Sequence, residues 1–172
     1  PAGYVSACIQ FIRRATTSGV NVGLVTAERL NGRLRTPRSQ VGRSGFYSAV
    51  DPMQSGSLLR VSLAQDVGGF RADFVMDCID VDFCLKLRAV GARILWVEGV
   101  NISHELGRIS EARLFGRAIR IGNRHIHVSN HSSSRRYYMT RNRIVLLKEY
   151  FRRDKEWFTK SLRAYTVETL AA

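Results

Sequence analysis

The chain has 172 residues, 45% of them hydrophobic, which predicts a folded domain with its own core and excludes a disordered polypeptide. With 27 Lys and Arg against 14 Asp and Glu, its formal net charge of +13 favours an anionic partner: nucleic acid, anionic lipid or a phosphorylated small molecule. The chain has three cysteines and no C-x-x-C pair, which argues against a disulfide framework or a zinc site and favours a reducing compartment. It has no apolar run near the roughly 20 residues that span a bilayer, which argues against a transmembrane helix.

A helix is predicted at the start of the chain, where apolar side chains recur at helical spacing and end before Gly19: Val5, Cys8, Ile9 and Ile12. The apolar run "NVGLVTAERL" (21–30) predicts a strand, and "NGRLRTPRSQVGRSG" (31–45) predicts an exposed basic loop. The stretch "SGSLLRVSLAQDVGGF" (55–70) predicts a short strand or helix that is followed by a Gly-Gly turn.

The second half begins with "DVDFCLKLRAVGA" (80–92), which predicts a helix that stops at Gly91 and has one apolar face: Phe83, Leu87 and Val90. The run "RILWVEGVNI" (93–102) predicts a strand, and the turn after it carries His104. From Arg108 onward the chain is basic, and apolar residues then return at helical spacing, which predicts one or two amphipathic helices: Ile144, Leu147, Phe151, Phe158, Leu162 and Tyr165. Helices mixed with strands predict an α/β fold.

Four aspartates crowd a short stretch of this basic chain: Asp73, Asp77, Asp80 and Asp82. The triplet "DVD" at 80–82 matches the D-x-D pattern that is often tied to a divalent metal. A metal-binding triplet of a nucleotide-sugar enzyme normally ends a strand, whereas this one opens a helix. Acids in a first helical turn also complement the positive helix end, by roughly 0.3–1 kcal/mol each. For Asp77 and Asp82 the two interpretations stay equally open, and for Asp80 the functional one is favoured.

The order of motifs around the triplet resembles the C-terminal half of family 2 glycosyltransferases of the GT-A fold. The ordered pieces are "SGSLL", "VGGF", "DVDFCLKLR", "RILWV" and "SHELG". They are most similar to the bacterial rhamnosyltransferase branch, with its D-x-x-D-x-[DE]-[FW]-C-L-[RK] string, and "HSSSRRYYMTRNRIVLL" also resembles that branch. The resemblance covers roughly residues 20 to 150. It implies the acceptor-side part of a Rossmann-like GT-A domain with a mixed sheet over residues 1–130, and a basic helical extension over 131–172.

The resemblance also implies roles for individual residues. Asp80 would be the catalytic base that takes the proton of the attacking acceptor hydroxyl, with Ile79 at the position where the family has Glu. His104 would complete a site for a divalent metal, Mg or Mn, and the alternative is a loop histidine without a role. The acceptor side would include four residues: Gly56, Ser57, Asp77 and Asp82.

The basic C-terminal region has three interpretations. The preferred one is that four side chains hold a diphosphate, on the nucleotide or on a lipid-linked acceptor: His131, Arg135, Arg136 and Arg141. A solvated basic face is the second, and single-stranded nucleic acid bound by Arg and Tyr side chains is the third. The helical region from Arg141 to Ala172 either packs on the core or lies on an anionic inner membrane.

The resemblance implies an inverting glycosyltransferase that moves a sugar, rhamnose from dTDP-rhamnose, to a cell-surface glycan during bacterial polysaccharide biosynthesis. Such an enzyme would be cytoplasmic or peripheral at the inner membrane, and a homo-oligomer is expected. The donor-binding strands and the strand-terminal D-x-D of the family are not found in the sequence. A fragment of a longer enzyme or a degenerate copy, inactive by itself, is therefore expected. The competing hypothesis is a non-catalytic basic binding module for nucleic acid or for a partner protein.

Overall fold

The computed structural model describes residues 2–35, 39–104 and 131–170, and six short stretches between the last two ranges: 109–111, 113–114, 117–118, 120–121, 124–125 and 127–129. The chain folds into two compact units, Pro1–His104 and Glu105–Ala172. The expected division after residue 130 thus falls inside the second unit. The α/β prediction is confirmed, because five helices accompany a mixed sheet within the described residues.

A mixed six-stranded sheet and three helices form the first unit. Its elements, in chain order, are α1 (Tyr4–Thr17), β1 (Val22–Leu30), β2 (Arg33–Leu34), β3 (Ser39–Gln40), β4 (Tyr47–Ser48), β5 (Ser57–Leu59), α2 (Val61–Asp66), α3 (Ile79–Ala89) and β6 (Arg93–Ile102). Strands β1 and β6 are parallel and central. Strands β2 and β5 both pair antiparallel with β1, and β4 and then β3 continue the sheet antiparallel beyond β6.

Strand β1 is buried along most of its length, which explains its nearly continuous apolar sequence. Because successive side chains point to opposite faces, the strand contributes to two cores. On one face, α1 packs Phe11 against Val25 and Leu95 of the sheet. On the other face, α3 packs Phe83 and its neighbours against a second set of sheet residues: Leu24, Ile94 and Trp96. Each core also holds a buried free thiol, Cys8 in the first and Cys84 in the second.

The predicted helices and strands of the first unit are largely confirmed: α1, β1, α3 and β6 lie where periodicity predicts them. The stretch 55–70 contains both alternatives, β5 and then α2, followed by a turn at Gly68 and Gly69, whose φ angles are positive. The basic loop predicted over 31–45 is wrong in part, because β2 and β3 lie within it. Residues 36–38 are outside the described part of the chain.

The second unit contains three short antiparallel pairs, β7 (Ile109–Glu111) with β12 (His127–Ser129), β8 (Arg113–Leu114) with β9 (Arg117–Ala118), and β10 (Arg120–Ile121) with β11 (Arg124–His125). Two helices follow, α4 (Ser133–Tyr150) and α5 (Lys155–Leu170). They pack together where the rings of Tyr150 and Trp157 meet at a centroid distance of 6.1 Å.

Helix α4 begins earlier than the apolar spacing predicts, so "RRYYMTRNR" is helical. The side chain of Ser132 caps it by accepting a hydrogen bond from the N–H of Arg135 at 3.3 Å. In the described part of the chain, no helix is both long enough and apolar enough to cross a membrane.

Candidate functional site

A cavity of about 110 Å³ lies on the face of the sheet that α3 covers. Its wall is mostly apolar, and Asp80 is the carboxylate in it. The lining residues come from β1, β5, α3 and the segments between them: Leu24, Pro52, Gln54, Ser57, Leu59, Phe70, Asp80, Phe83 and Cys84. A mostly apolar lining with a few polar groups is typical of ligand sites, although this cavity is smaller than the roughly 300–1,000 Å³ of most of them.

Asp80 reaches this cavity from the first turn of α3, after an unusual turn. Asp77 and Cys78 precede the helix with φ angles of +67° and +63°, in the left-handed region that side chains other than Gly rarely adopt. Such residues carry strain of order 1–3 kcal/mol each and concentrate at functional sites. The Asp80 Oδ1 atom accepts a hydrogen bond from the N–H of Val81 at 3.0 Å.

The surroundings of Asp80 favour its protonated form. Burial is the largest cause and raises the pKa of the carboxyl above its ordinary value, and the nearby charge of Asp77 raises this pKa further. Backbone N–H groups act in the opposite direction, at Val81 and at Gln54. The net result is a carboxylate with a higher proton affinity than an exposed aspartate has, which is the property that a general base requires.

Of the predicted acceptor residues, Ser57 begins β5 and Gly56 directly precedes it. Ser57 lines the cavity together with Asp80, and its hydroxyl donates to the carbonyl of Met53 at 2.9 Å. Gly56 serves the backbone: its φ is +72°, and a Cβ atom there would lie 2.7 Å from Cδ1 of Ile102. Its carbonyl also accepts a hydrogen bond from the hydroxyl of Tyr4. The structure thus brings Ser57 to Asp80, and it gives Gly56 a role in the turn.

Asp82 lies in the same helical turn as Asp80 but is fully buried. Its carboxylate forms an ion pair with Lys86 at 2.9 Å and lies 3.7 Å from Nη1 of Arg71. These contacts bind Asp82 into the fold. Asp77 acts on the site through its charge and through the turn that it forms before the helix.

His104 follows β6, as expected, and its backbone is held by the side chain of Asn31. The N–H of His104 donates to Asn31 Oδ1 at 3.0 Å, and its carbonyl accepts from Nδ2 at 2.8 Å. It lies outside the cavity lining. Within the described ranges, no group of three or more His, Cys, Asp or Glu side chains is arranged to hold a metal ion. The metal site stays a prediction.

The four residues predicted to bind diphosphate lie in the second unit, at the beginning of α4. His131 precedes the capping serine, and Arg135 and Arg136 are exposed on the first turn. Arg141 is partly buried, and its Nη1 atom donates to Oδ1 of Asn142 at 2.8 Å.

Two residues on the cavity face of the sheet are not predicted as site residues by the sequence. Phe70, which the sequence predicts only as part of a turn, lines the cavity and stacks at 4.6 Å on Phe83 while 42% of it stays exposed. Arg35 follows β2 and contacts Thr26 and Trp96. The signal for Phe70 was its place in "VGGF", whereas nothing in the local sequence distinguishes Arg35 from the other arginines nearby.

Comparison of the chain with protein-family models, with curated proteins and with solved structures gives no match.

Proposed function

We propose that this chain supplies the general base and the acceptor side of an inverting glycosyltransferase of the family 2, GT-A type. The observation that carries the proposal is Asp80, a carboxylate of raised pKa in an apolar cavity that Ser57 also lines. The ordered motifs from "SGSLL" to "SHELG" support the same assignment.

In this mechanism, Asp80 accepts the proton of the acceptor hydroxyl. An acceptor hydroxyl in the cavity donates its hydrogen bond to the Asp80 carboxylate. As the hydroxyl oxygen bonds to the anomeric carbon of the donor sugar, Asp80 takes the proton. The bond from that carbon to the diphosphate oxygen breaks, and the diphosphate leaves with the electron pair. Phe70 and Phe83 provide an apolar wall beside the carboxylate, which reduces its contact with water.

The leaving diphosphate requires positive charge. Under this proposal, His104 would be a ligand of a Mg or Mn ion that would supply this charge. A separate part of the proposal is that the arginines at the beginning of α4 hold a diphosphate: Arg135, Arg136 and Arg141. A divalent ion would act as a Lewis acid on the diphosphate.

The donor that the motifs favour is dTDP-rhamnose, and the acceptor is a cell-surface glycan or its lipid-linked precursor. The second unit supports an anionic partner, because it carries 15 Lys and Arg against 6 Asp and Glu. Phe151, which is 45% exposed, lies beside Arg152 and Lys155, a combination that suits contact with an anionic inner membrane. A cytoplasmic, peripheral homo-oligomer is part of the same proposal.

The test is a transfer assay on the longest natural polypeptide that contains these residues, with dTDP-rhamnose, Mg or Mn, and a lipid-linked acceptor. Asp80→Asn is expected to lower kcat by about 10²–10⁴ with the donor KM nearly unchanged, because only the basicity is lost. Asp66→Asn, at an exposed position of α2, is the matched control. Turnover near the wild-type rate in Asp80→Asn would remove Asp80 from the mechanism.

The second candidate is a non-catalytic basic module that binds nucleic acid or a partner protein. The charge of the second unit favours it, together with Tyr137, which is 63% exposed next to Arg136. Salt-dependent binding of single-stranded RNA or DNA that is unaffected by Asp80→Asn, without transfer to any acceptor, would support this candidate over the enzyme.

A further inference from the structure

A row of three side chains crosses the sheet next to the cavity. Ser57 of β5 pairs with Thr26 of β1, and Thr26 pairs with Trp96 of β6. Residues that are paired across neighbouring strands share a face. Ser57 lines the Asp80 cavity, and Trp96 belongs to the core that α3 covers, so the row lies on the cavity face.

Arg35 lies over this row. Its Nη1 atom donates to Oγ1 of Thr26 at 3.3 Å, and its Cζ atom lies 4.7 Å from the centroid of the Trp96 ring. Its backbone N–H donates to the carbonyl of Glu28 at 2.9 Å, which anchors the residue beside β1. Two side-chain contacts and one backbone bond therefore hold the guanidinium over Thr26 and Trp96. Arg35 is outside the cavity lining, and Ser57, the cross-strand partner of Thr26, connects this position to the cavity.

The guanidinium is partly buried, and burial lowers the pKa of Arg35 from its usual value. Among the residues that the structure describes, Arg35 forms no ion pair with Asp or Glu. The face of Trp96 compensates part of the lost hydration through a cation–π contact. A partly buried cation loses some of its hydration, so an anion that binds on its open side is favoured.

We propose that Arg35 binds a phosphoryl group of a ligand that occupies the cavity next to Ser57 and Asp80. The planar guanidinium presents two parallel N–H donors, which match two oxygens of one phosphate. Ligands of α/β sheets also tend to bind beyond the carboxyl ends of parallel strands, and Arg35 lies beside the second half of β1. Identifying the phosphoryl group as the diphosphate of a sugar donor rests on the proposed function, whereas the anion site itself does not.

The experiment uses inorganic pyrophosphate as the probe and Trp96 as the reporter. The chain has two tryptophans, so Trp157→Phe leaves Trp96 alone to report. Titration at constant ionic strength is expected to give a saturable change in Trp96 fluorescence, because the guanidinium lies against that ring. Calorimetry on the wild-type chain gives the same Kd without the Trp157 substitution.

Arg35→Gln and Arg35→Ala are expected to raise the pyrophosphate Kd at least ten-fold, and Arg35→Lys to raise it less. Arg33→Ala, an exposed arginine on β2, is the matched control and is expected to leave Kd unchanged. Thermal melts establish that each variant is folded, and Gln replaces Ala where Ala destabilises the chain.

Equal Kd values for Arg35→Gln and Arg33→Ala would overturn the inference, because the binding would then belong to the basic surface as a whole. Citrate bound as tightly as pyrophosphate, with the same dependence on Arg35, would overturn the phosphoryl assignment. If pyrophosphate binding depends on Arg35 but the polypeptide transfers no sugar, the anion site is supported and the proposed function is contradicted.

Discussion

The carboxylate of Asp82 lies 2.9 Å from the Nζ atom of Lys86, one helical turn further along α3, and is buried there. Asp80, two residues earlier, faces an apolar cavity, and burial raises its pKa. One short sequence thus contains two carboxylates in opposite circumstances. The carboxylate of Asp82 is neutralised by cations within the fold, whereas that of Asp80 retains the proton affinity that a base needs.

Asp82→Ala is expected to lower the free energy of unfolding by about 1–3 kcal/mol, because it removes the ion pair with Lys86 and the contact with Arg71. The loss is limited because both cations are partly exposed and keep other partners, the carbonyl of Gly69 and the carboxylate of Asp73. Urea denaturation measures the loss. Asp66→Ala, on the exposed side of α2, is the control and should change the free energy by less than about 0.5 kcal/mol. A loss at Asp82 as small as that of the control would mean that these ion pairs contribute little.

Gly56→Ala is expected to destabilise the chain by more than Gly68→Ala does. Both positions have positive φ, so both substitutions carry a backbone cost of about 1–2 kcal/mol. Only at Gly56 does the new methyl group also meet Cδ1 of Ile102, at 2.7 Å, while the space around Gly68 is open. Ile102→Val removes that atom, so the double variant should recover part of the excess loss. Equal losses at the two glycines would argue against the close approach.

Asp80→Asn is expected to raise the stability of the fold at neutral pH. The pKa of this carboxyl is higher in the folded chain than in the unfolded chain, so the folded state binds more protons between the two values. The destabilisation by Asp80 is therefore absent below the ordinary carboxyl pKa and grows as pH rises through the folded pKa. Thermal melts of both proteins between pH 3 and pH 8 should converge at the acid end. Parallel curves across this range would contradict the raised pKa.

Arg136→Ala is expected to weaken the binding of a diphosphate-bearing lipid analogue by about 1 kcal/mol, or roughly five-fold in Kd. The arginine is exposed on the first turn of α4 and belongs to the predicted diphosphate-binding group. Calorimetry at two salt concentrations measures the effect, which should shrink at the higher one. Arg163→Ala, exposed on α5, is a control of equal charge. Equal effects of the two substitutions would favour a solvated basic face.

Periodicity in the sequence was sufficient to predict the elements that carry a strong apolar pattern, such as α1 and β6. Strands β2 and β3 have two residues each and no alternation, so their formation depends on pairing with β1 and β4. The beginning of α4 was missed for a related reason. Its first turn is polar, and the cap at Ser132 begins the helix well before the buried positions Asn142 and Leu146.

The cavity was predictable in part. Motif order indicated Asp80 and Ser57, because both lie in segments whose sequence resembles a known family. Phe70 and Arg35 reach the same face of the sheet through tertiary packing and strand pairing, which a linear pattern does not encode. The second unit was predictable as basic and helical, since charge and late apolar spacing are both local properties.

The buried thiols of Cys8 and Cys84 lie in the two cores on opposite faces of the sheet. Burial raises the pKa of both thiols, so each reacts with an alkylating reagent only when its surroundings open. The rate at which Cys8 is alkylated therefore measures how often α1 detaches from the sheet. The rate at which Cys84 is alkylated measures how often α3 detaches. With the third buried thiol replaced in Cys78→Ala, no engineered label is needed to follow local unfolding on both faces of the sheet. A ligand that fills the Asp80 cavity should slow the modification of Cys84 while leaving that of Cys8 unchanged.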